Sequence, residues 1–592
     1  MARTPLMSLI RRMKRTHDLA AHRGVPVLAV HEERALLREQ GLPSRRRFLF
    51  GAAAAIGAIP FAPGCSSGDG GGGPGGGGAK GPRIAIVGAG LSGLACALAL
   101  KDKGYAATVY DVSKHRVGGR MISERGAEPT GCNTCHAAPY VAKDMSVSEG
   151  QVADLYCELI DTDHTTVQDL AKRFGLELTD ALGAEPEGAS ETYYFGGGYY
   201  LPKDADADFA AVYDAIQKDA ADAGWPVTYD TANAAARALD SMSAAAWIDQ
   251  RIPGGRASRL GSLIDVAYRM EYGAETRDQS ALNILSMLSG SEQDPLSILG
   301  VSDEKFRIKG GVDQLPRAMA DHLGLGSTVQ LGYRLEAIRE ESDGTYALSF
   351  SADGTPTEVR ADYVVLALPF GALRTLDYSK AGFDALKHRA IQEQGVGRNV
   401  KIQLQFDRRL WNEPGPWGVS GGTTYSDRGS QLTWDPTRGQ PGTSGILVGY
   451  QGGDGADSTL LDHPYGNNGN PKVVADAKAF LAEIEPIFPG ISAIWNGKVA
   501  ETKPMRDWRF NGSYAYYKVG QTQVMCGYEH APQKNVFFCG EHTSLDYLGF
   551  MEGAALEGQG AAEQVLSALG VPSVTPKSAR VRRARRARRA HP

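Results

Sequence analysis

Short apolar runs bounded by glycine alternate with segments of helical character along most of this chain. Residues 83–87, RIAIV, form an apolar β run, and Gly88-Ala89-Gly90-Leu91-Ser92-Gly93 leads into an apolar helix through Leu100. A second strand, AATVYD, ends in Asp111. The glycines let the backbone turn sharply and approach a pyrophosphate at the helix N-terminus, and Asp111, about twenty residues on, can accept the hydroxyls of a ribose. Strand, glycines, helix, strand and acid in this order predict an α/β dinucleotide-binding fold. Further on, VRADYVVLALP (359–369) reads as a strand entering a turn at Pro369, and alternation from Val400 to Phe406 predicts another strand carrying Lys401. NVFFC (535–539) reads as a buried strand, followed by a turn with Gly540 and Glu541 and an Ala-rich helix starting near Gly549.

The chain of 592 residues, 42% hydrophobic, is long enough for two or more cores. Its net charge of -5 is unevenly spread: the last sixteen residues carry eight basic side chains and no acid, which leaves about -13 for the rest. This tail reads as extended and able to touch anionic surfaces, while the acidic body argues against nucleic acid as a partner. Near the other end, Ser44-Arg45-Arg46-Arg47-Phe48 precedes the apolar run FLFGAAAAIGAIPFA, which reads as a twin-arginine export signal. The run is too short and too rich in Gly and Ala to span a membrane, which takes about 20 residues. Cys65, followed by a glycine spacer, looks like a site of lipoprotein cleavage and acylation; cleavage without acylation is the alternative. Either way the expected place of work is the periplasm or the extracytoplasmic face of the membrane, with the Tat translocase as partner.

Past the second strand, KHRVGGRM (114–121) brings Arg116, Gly118, Gly119 and Arg120. This segment is similar to the R-x-G-G-R segment of the flavin-containing amine oxidase family, and the resemblance, covering about residues 82–568, implies FAD rather than NAD. It implies an FAD-binding Rossmann-like domain of the two-dinucleotide-binding-domain type, interleaved with a mixed-sheet and helical substrate domain. The expected organisation is a signal in 1–65, a linker in 66–81, FAD-domain parts in 82–180, 306–375 and 526–570, substrate-domain parts in 181–305 and 376–525, and a basic tail in 571–592. In the family's closing motif the acid, here Glu541, contacts the ribityl or pyrophosphate region. The helix that starts at Gly549, Phe550 and Met551 faces the flavin pyrimidine.

The same resemblance implies the chemistry: hydride transfer from an amine to flavin N5, then reoxidation by O2 to hydrogen peroxide. Relatives use the lysine at Lys401 to hold a water at N5. At FNGSYAYY (510–517) some relatives have a cysteine bonded to the flavin; Ser513 cannot form that thioether, so the FAD is expected to be non-covalent. Tyr514 matches a cage tyrosine, Phe550 matches its partner across the flavin, and Trp508 is a candidate cover for the cofactor's edge or simply packing. L-amino-acid oxidases of the family carry an arginine after the segment matching Asp154 to Glu158, and none stands here, though Arg269 or Arg173 could converge on the site.

The favoured substrate is a primary or secondary amine. The alternatives are an L-amino-acid oxidase or related monooxygenase, a dehydrogenase or desaturase using a quinone or cytochrome acceptor, and a non-catalytic FAD-containing module. Cys132, Cys135 and His136 have the C-x-x-C-H spacing of c-type haem attachment, but an inserted loop without a cytochrome domain favours a disulfide or inert thiols over haem or metal. No metal site is expected.

Overall fold

The computed structural model describes residues 81–125 and 150–572. The arginine signal, Cys65, the Cys132-Cys135-His136 segment and the basic tail lie outside the described residues.

Five short parallel strands form the nucleotide sheet in the order Val536–Phe538, Tyr363–Leu366, Ile84–Val87, Thr108–Asp111, Val329–Leu331. Ile84–Val87 is buried at all four positions, as expected for a central strand covered on both faces. One face takes the helices Leu91–Asp102, Gln314–Leu323 and Met551–Ala568 over a continuous core. The first and last of these approach closely because Gly558 has no side chain: a Cβ there would lie 2.1 Å from the carbonyl oxygen of Ser92. The first and last helices among the described residues therefore meet at the glycine motif. The opposite face is covered by a four-stranded sheet built on the meander of residues 333–361, with Asp377–Lys380 added in parallel.

The second layer is an eight-stranded mixed sheet whose middle holds Trp495–Thr502, Asn399–Phe406, Gly445–Gly452 and Leu432–Trp434. Helices between residues 202 and 288 pack with part of this sheet in one core, and Pro471–Ile484 packs with another part in a second. The helix Arg259–Tyr272 is capped by Ser258 and stops at Gly273, which has φ +60. A Cβ on Gly273 would meet Asn399 Oδ1 at 2.1 Å, so the last turn of this helix lies directly against the strand that carries Lys401. No helix among the described residues is long and apolar enough to cross a membrane.

Candidate active site

One continuous cavity runs from the glycine motif to the eight-stranded sheet and holds about 290 Å³ of space reachable by the centre of a water molecule. At its nucleotide end, Asp111 accepts the Ala89 N–H at 2.7 Å and the Ser113 N–H at 2.8 Å, which fixes the carboxylate at the end of its strand. Burial raises its pKa, and the two backbone donors partly offset that. A Cβ on Gly93 would lie 1.9 Å from the Gly88 carbonyl oxygen, so the third glycine is required for the turn itself. Gly88 and Gly118 adopt φ +109 and +101, and Gly118 leaves room for Pro316.

Charge gathers beside these glycines. Arg120 pairs with Glu541 at 3.0 Å and donates to the Ser513 carbonyl; the other Glu541 oxygen accepts the Gly549 N–H at 3.0 Å. A residue from the first hundred of the domain is thus tied to the closing motif. Arg116 and Arg509 border the same space, the latter held by Asp507. Burial and the neighbouring Arg509 charge lower the Arg116 pKa to about 10. Both ring nitrogens of His542 are buried and lack hydrogen-bond partners, and burial holds this imidazole neutral, with a pKa of about 3. Two guanidiniums, a carboxylate at a strand end, a glycine cradle and an orphaned imidazole fit a dinucleotide.

The centre of the cavity is set by Lys401. Its strand has apolar Val400, Ile402, Leu404 and Phe406 on one side and Lys401, Gln403 and Gln405 on the other, yet all eight positions are buried. The polar side is covered by the segment 151–158. Lys401 Nζ donates to Asp154 O at 2.6 Å and to Glu158 Oε2 at 2.7 Å, Gln403 donates to the same carbonyl, and Gln405 donates to Gln151. Asp154 itself pairs with buried Arg307 at 3.2 Å. Burial alone would raise the Glu158 pKa, but the charges of Lys401 and Arg307 outweigh it and the carboxyl is held below its ordinary range. Lys401 also lies 5.0 Å from the Trp434 ring centroid.

Beyond Lys401 the walls are aromatic and acidic. Trp434 and Tyr450 meet edge to face at 5.4 Å, and the Tyr450 and Tyr514 hydroxyls are 3.2 Å apart. Tyr514 also donates weakly to the Met270 carbonyl at 3.5 Å, and its ring lies 3.4 Å from where a Gly549 Cβ would stand. Phe550 borders the cavity with its ring 5.3 Å from His164. Asp161, Glu271 and Glu304 complete this end.

A profile described as flavin containing amine oxidoreductase matches residues 91–566. The chain belongs to the flavin-containing amine oxidoreductase family. Among its relatives, an L-amino-acid oxidase of Siganus canaliculatus is 24% identical over 496 residues, spanning 80% of this chain and 82% of that protein. Among solved structures, cyclohexylamine oxidase from Brevibacterium oxydans shares the fold at a TM-score of 0.65 and 22% identity, covering 83% of this chain and 99% of the other. Wild-type putrescine oxidase bound to putrescine does so at 0.64 and 20%, covering 82% and 99%. The enzyme is an oxidoreductase of this α/β flavoprotein class, and its cofactor is FAD.

Within this amine oxidoreductase, the structure gathers most of the residues singled out from sequence around the cavity: Gly88, Gly90, Leu91, Ser92, Asp111, Arg116, Gly118, Gly119 and Arg120 at one end, with Gly540, Glu541, Gly549, Phe550, Met551, Lys401 and Tyr514 bordering the remainder. Gly93 supports the turn from behind. Trp508 is not brought in. It is 50% exposed with its ring over Arg334, because the turn after Pro504–Arg506 directs the next residue, Arg509, inward instead. Arg173 and Arg269 do not converge on the site either: Arg173 pairs with Asp102, and Arg269 pairs with Asp265 and Glu275. Sequence reasoning missed Tyr450, Trp434, Arg509, Asp161, Glu271 and Glu304. The one signal available was an acid beside apolar residues, as in RMEYG for Glu271. One compact Asp and His group, Asp161, Asp163 and His164, occurs among the described residues, with Asp161 and His164 already bonded to each other.

Proposed function

We propose that the enzyme oxidises a primary or secondary amine at the carbon bearing nitrogen, giving an imine that hydrolyses to an aldehyde or ketone. The charge of the substrate end carries this reading. Glu158, Asp161, Glu271 and Glu304 stand there with Lys401 as the cation, and the arginines bordering the cavity, Arg116, Arg120 and Arg509, belong to its nucleotide end. Burial raises the Asp161, Glu271 and Glu304 carboxyls to about 7, 8 and 7, so they are largely protonated near neutrality; an entering ammonium would draw them into the charged form, whereas a free carboxylate would gain nothing from them. FAD, when bound, supplies the two-electron acceptor for the α C–H and hands the electrons to O2, yielding hydrogen peroxide.

The chain's own groups position and exclude. Tyr514, Tyr450, Trp434 and Phe550 offer flat apolar walls to the substrate's methylene groups. Lys401 Nζ donates two of its three protons to Asp154 O and Glu158 Oε2, which leaves one for a water at the centre of the cavity. The Gly88 and Gly118 turns, Asp111, Arg116 and Arg509 would hold the nucleotide, and the pair of Arg120 with Glu541 fixes the closing motif beside that space. Ser513 Oγ donates to Asn399 Oδ1 at 2.6 Å and has no chemistry for a thioether, which supports non-covalent FAD.

A second reading, oxidation of L-amino acids, is favoured by the names of the sequence relatives. Peroxide release measured across n-alkylamines, cyclic amines and L-amino acids separates the two. Turnover of amines with aldehyde or ketone products supports the proposal; turnover confined to amino acids with keto-acid products overturns it. Release of intact FAD on acid precipitation tests the non-covalent assignment, with retained protein-bound flavin as the contrary result. Export through the Tat route is proposed from the arginine segment alone; loss of the protein from the extracytoplasmic fraction on replacing Arg45 and Arg46 by lysine tests it, and unchanged export rejects it.

A further inference from the structure

Two buried ion pairs meet between the nucleotide and substrate ends of the cavity. Lys401 Nζ and Glu158 Oε2 stand 2.7 Å apart, with their side chains 3% and 2% exposed, and Arg307 pairs with Asp154 at 3.2 Å. The two pairs are joined, because Lys401 also donates to the Asp154 carbonyl. Lys401 and Glu158 border the cavity, and Arg307 and Asp154 do not.

Glu158 is held unevenly. Oε2 accepts from Lys401 and from Trp434 Nε1 at 3.3 Å, whereas Oε1 has no hydrogen-bond partner among the described residues. Burial works against its ionisation, but the charges of Lys401 and Arg307 outweigh burial, so this carboxyl is ionised across the neutral range. That separates it from Asp161, Glu271 and Glu304, which burial keeps largely protonated near neutrality. Hydrogen bonding does not require the charge: a neutral amide would give Lys401 and Trp434 the same acceptor. What the carboxylate adds is an anion against the one lysine that borders the cavity among the described residues. It steadies the buried ammonium, and it cancels much of the field that the ammonium would otherwise send into the cavity.

That field bears on reoxidation. In becoming hydrogen peroxide, O2 takes two electrons and one proton from the reduced cofactor and one proton from solvent, and its first one-electron step gives superoxide, an anion. A cation nearby favours that step, and an ion pair favours it far less. A dinucleotide anchored at one end of the cavity and meeting a substrate at the other spans the place where Lys401 and Glu158 stand. We propose that Glu158 restrains the reaction of the reduced cofactor with O2 by engaging Lys401 and cancelling its charge. The proposal rests on the oxidase reading of the site and concerns only its second half, the return of electrons to O2.

The test uses the FAD-loaded enzyme, photoreduced without any substrate and mixed with O2 in a stopped-flow cell. Glu158→Gln, which keeps the acceptor and removes the charge, is expected to raise the reoxidation rate constant about tenfold or more. It should also tighten the binding of sulfite, an anion whose addition bleaches oxidised flavin, by about tenfold. A purely structural Glu158 would give neither gain. In the Lys401→Met background, burial without the counter-cation favours the protonated carboxyl, so the same exchange should change either quantity by less than about twofold. A rate constant and sulfite affinity unchanged or lowered in Glu158→Gln at full FAD content overturn the proposal, and so does equal acceleration with and without Lys401. If Glu158→Gln does not load FAD, Glu158→Ser, which admits water beside Lys401, is read in the same way. Acceleration in a protein whose flavin no amine reduces supports the proposal and overturns the amine-oxidase reading.

Discussion

At the nucleotide end of the cavity, arginines are answered by carboxylates on the protein: Arg120 by Glu541 and Arg509 by Asp507. At the substrate end the balance is reversed, with four carboxylates, one lysine and aromatic walls. The first arrangement is complete enough to hold its shape while presenting backbone donors and guanidiniums to an anion. In the second, Glu271 and Glu304 make no ion pair among the described residues. The difference matches a polyanionic cofactor to the end where cations converge, and it underlies the proposal of an amine substrate at the other. Lys401 and Glu158 stand at the junction.

The largest effect that could break this contrast is at Gly93. A valine there must displace the Gly88 carbonyl, so FAD binding is expected to weaken at least a hundredfold, read as loss of 450 nm absorbance after gel filtration. Stoichiometric FAD in that variant would show that the cradle is not what holds the cofactor.

At the junction, Lys401→Met removes the partner of a buried carboxylate and should cost about 3 kcal/mol of stability, with flavin reoxidation slowed at least tenfold. Adding Glu158→Gln should recover most of the stability and none of the reoxidation rate, as judged by thermal melts and stopped-flow traces. Recovery of both would reduce Lys401 to a structural ion pair.

Glu501 sharpens the comparison, because it is a buried carboxyl that does not itself line the cavity and has Asp476 and Thr459 beside it. Burial, with the nearby Asp476, raises its pKa to about 8. The folded state therefore keeps this proton where the unfolded chain has released it, so its contribution to stability is present below about pH 4.5 and is lost as pH rises through about 8. The melting temperature should fall between pH 6 and 9, and Glu501→Gln should flatten that fall by roughly 2–4 °C. An equally steep fall in the variant would reject the assignment.

The smallest effect is at the aromatic wall: Tyr450→Phe removes one hydroxyl of the 3.2 Å pair with Tyr514 and should lower kcat/KM about two- to fivefold. A change beyond a hundredfold would make that hydroxyl a participant in the chemistry rather than a spacer.

The two ends also differ in how far they could be read from sequence. Gly88, Gly93, Asp111, Arg120 and Glu541 were legible because each answers a local demand, a turn without a Cβ, a strand end or a motif at fixed spacing. Lys401 was legible from its strand and its family-like setting. The alternation that revealed the strand, however, normally marks a solvent face, and here Lys401, Gln403 and Gln405 are roofed by residues 151–158. Trp508 shows the opposite case: it stood as a candidate cover for the cofactor's edge with packing as the alternative, and one step of backbone direction put Arg509 at the cavity instead.

By itself the sequence determined the nucleotide fold and its glycine motif, because backbone sterics and short-range hydrogen bonding act over a few neighbouring residues; the flavin followed from the resemblance of the segment 114–121 to the family. Only the tertiary structure decided that Tyr450, Trp434, Asp161, Glu271 and Glu304, drawn from separate strands, loops and a helix end, share one wall. Their meeting depends on the register of the eight-stranded sheet and on the helix that stops at Gly273 against Asn399. Those are long-range packing constraints with no local signature.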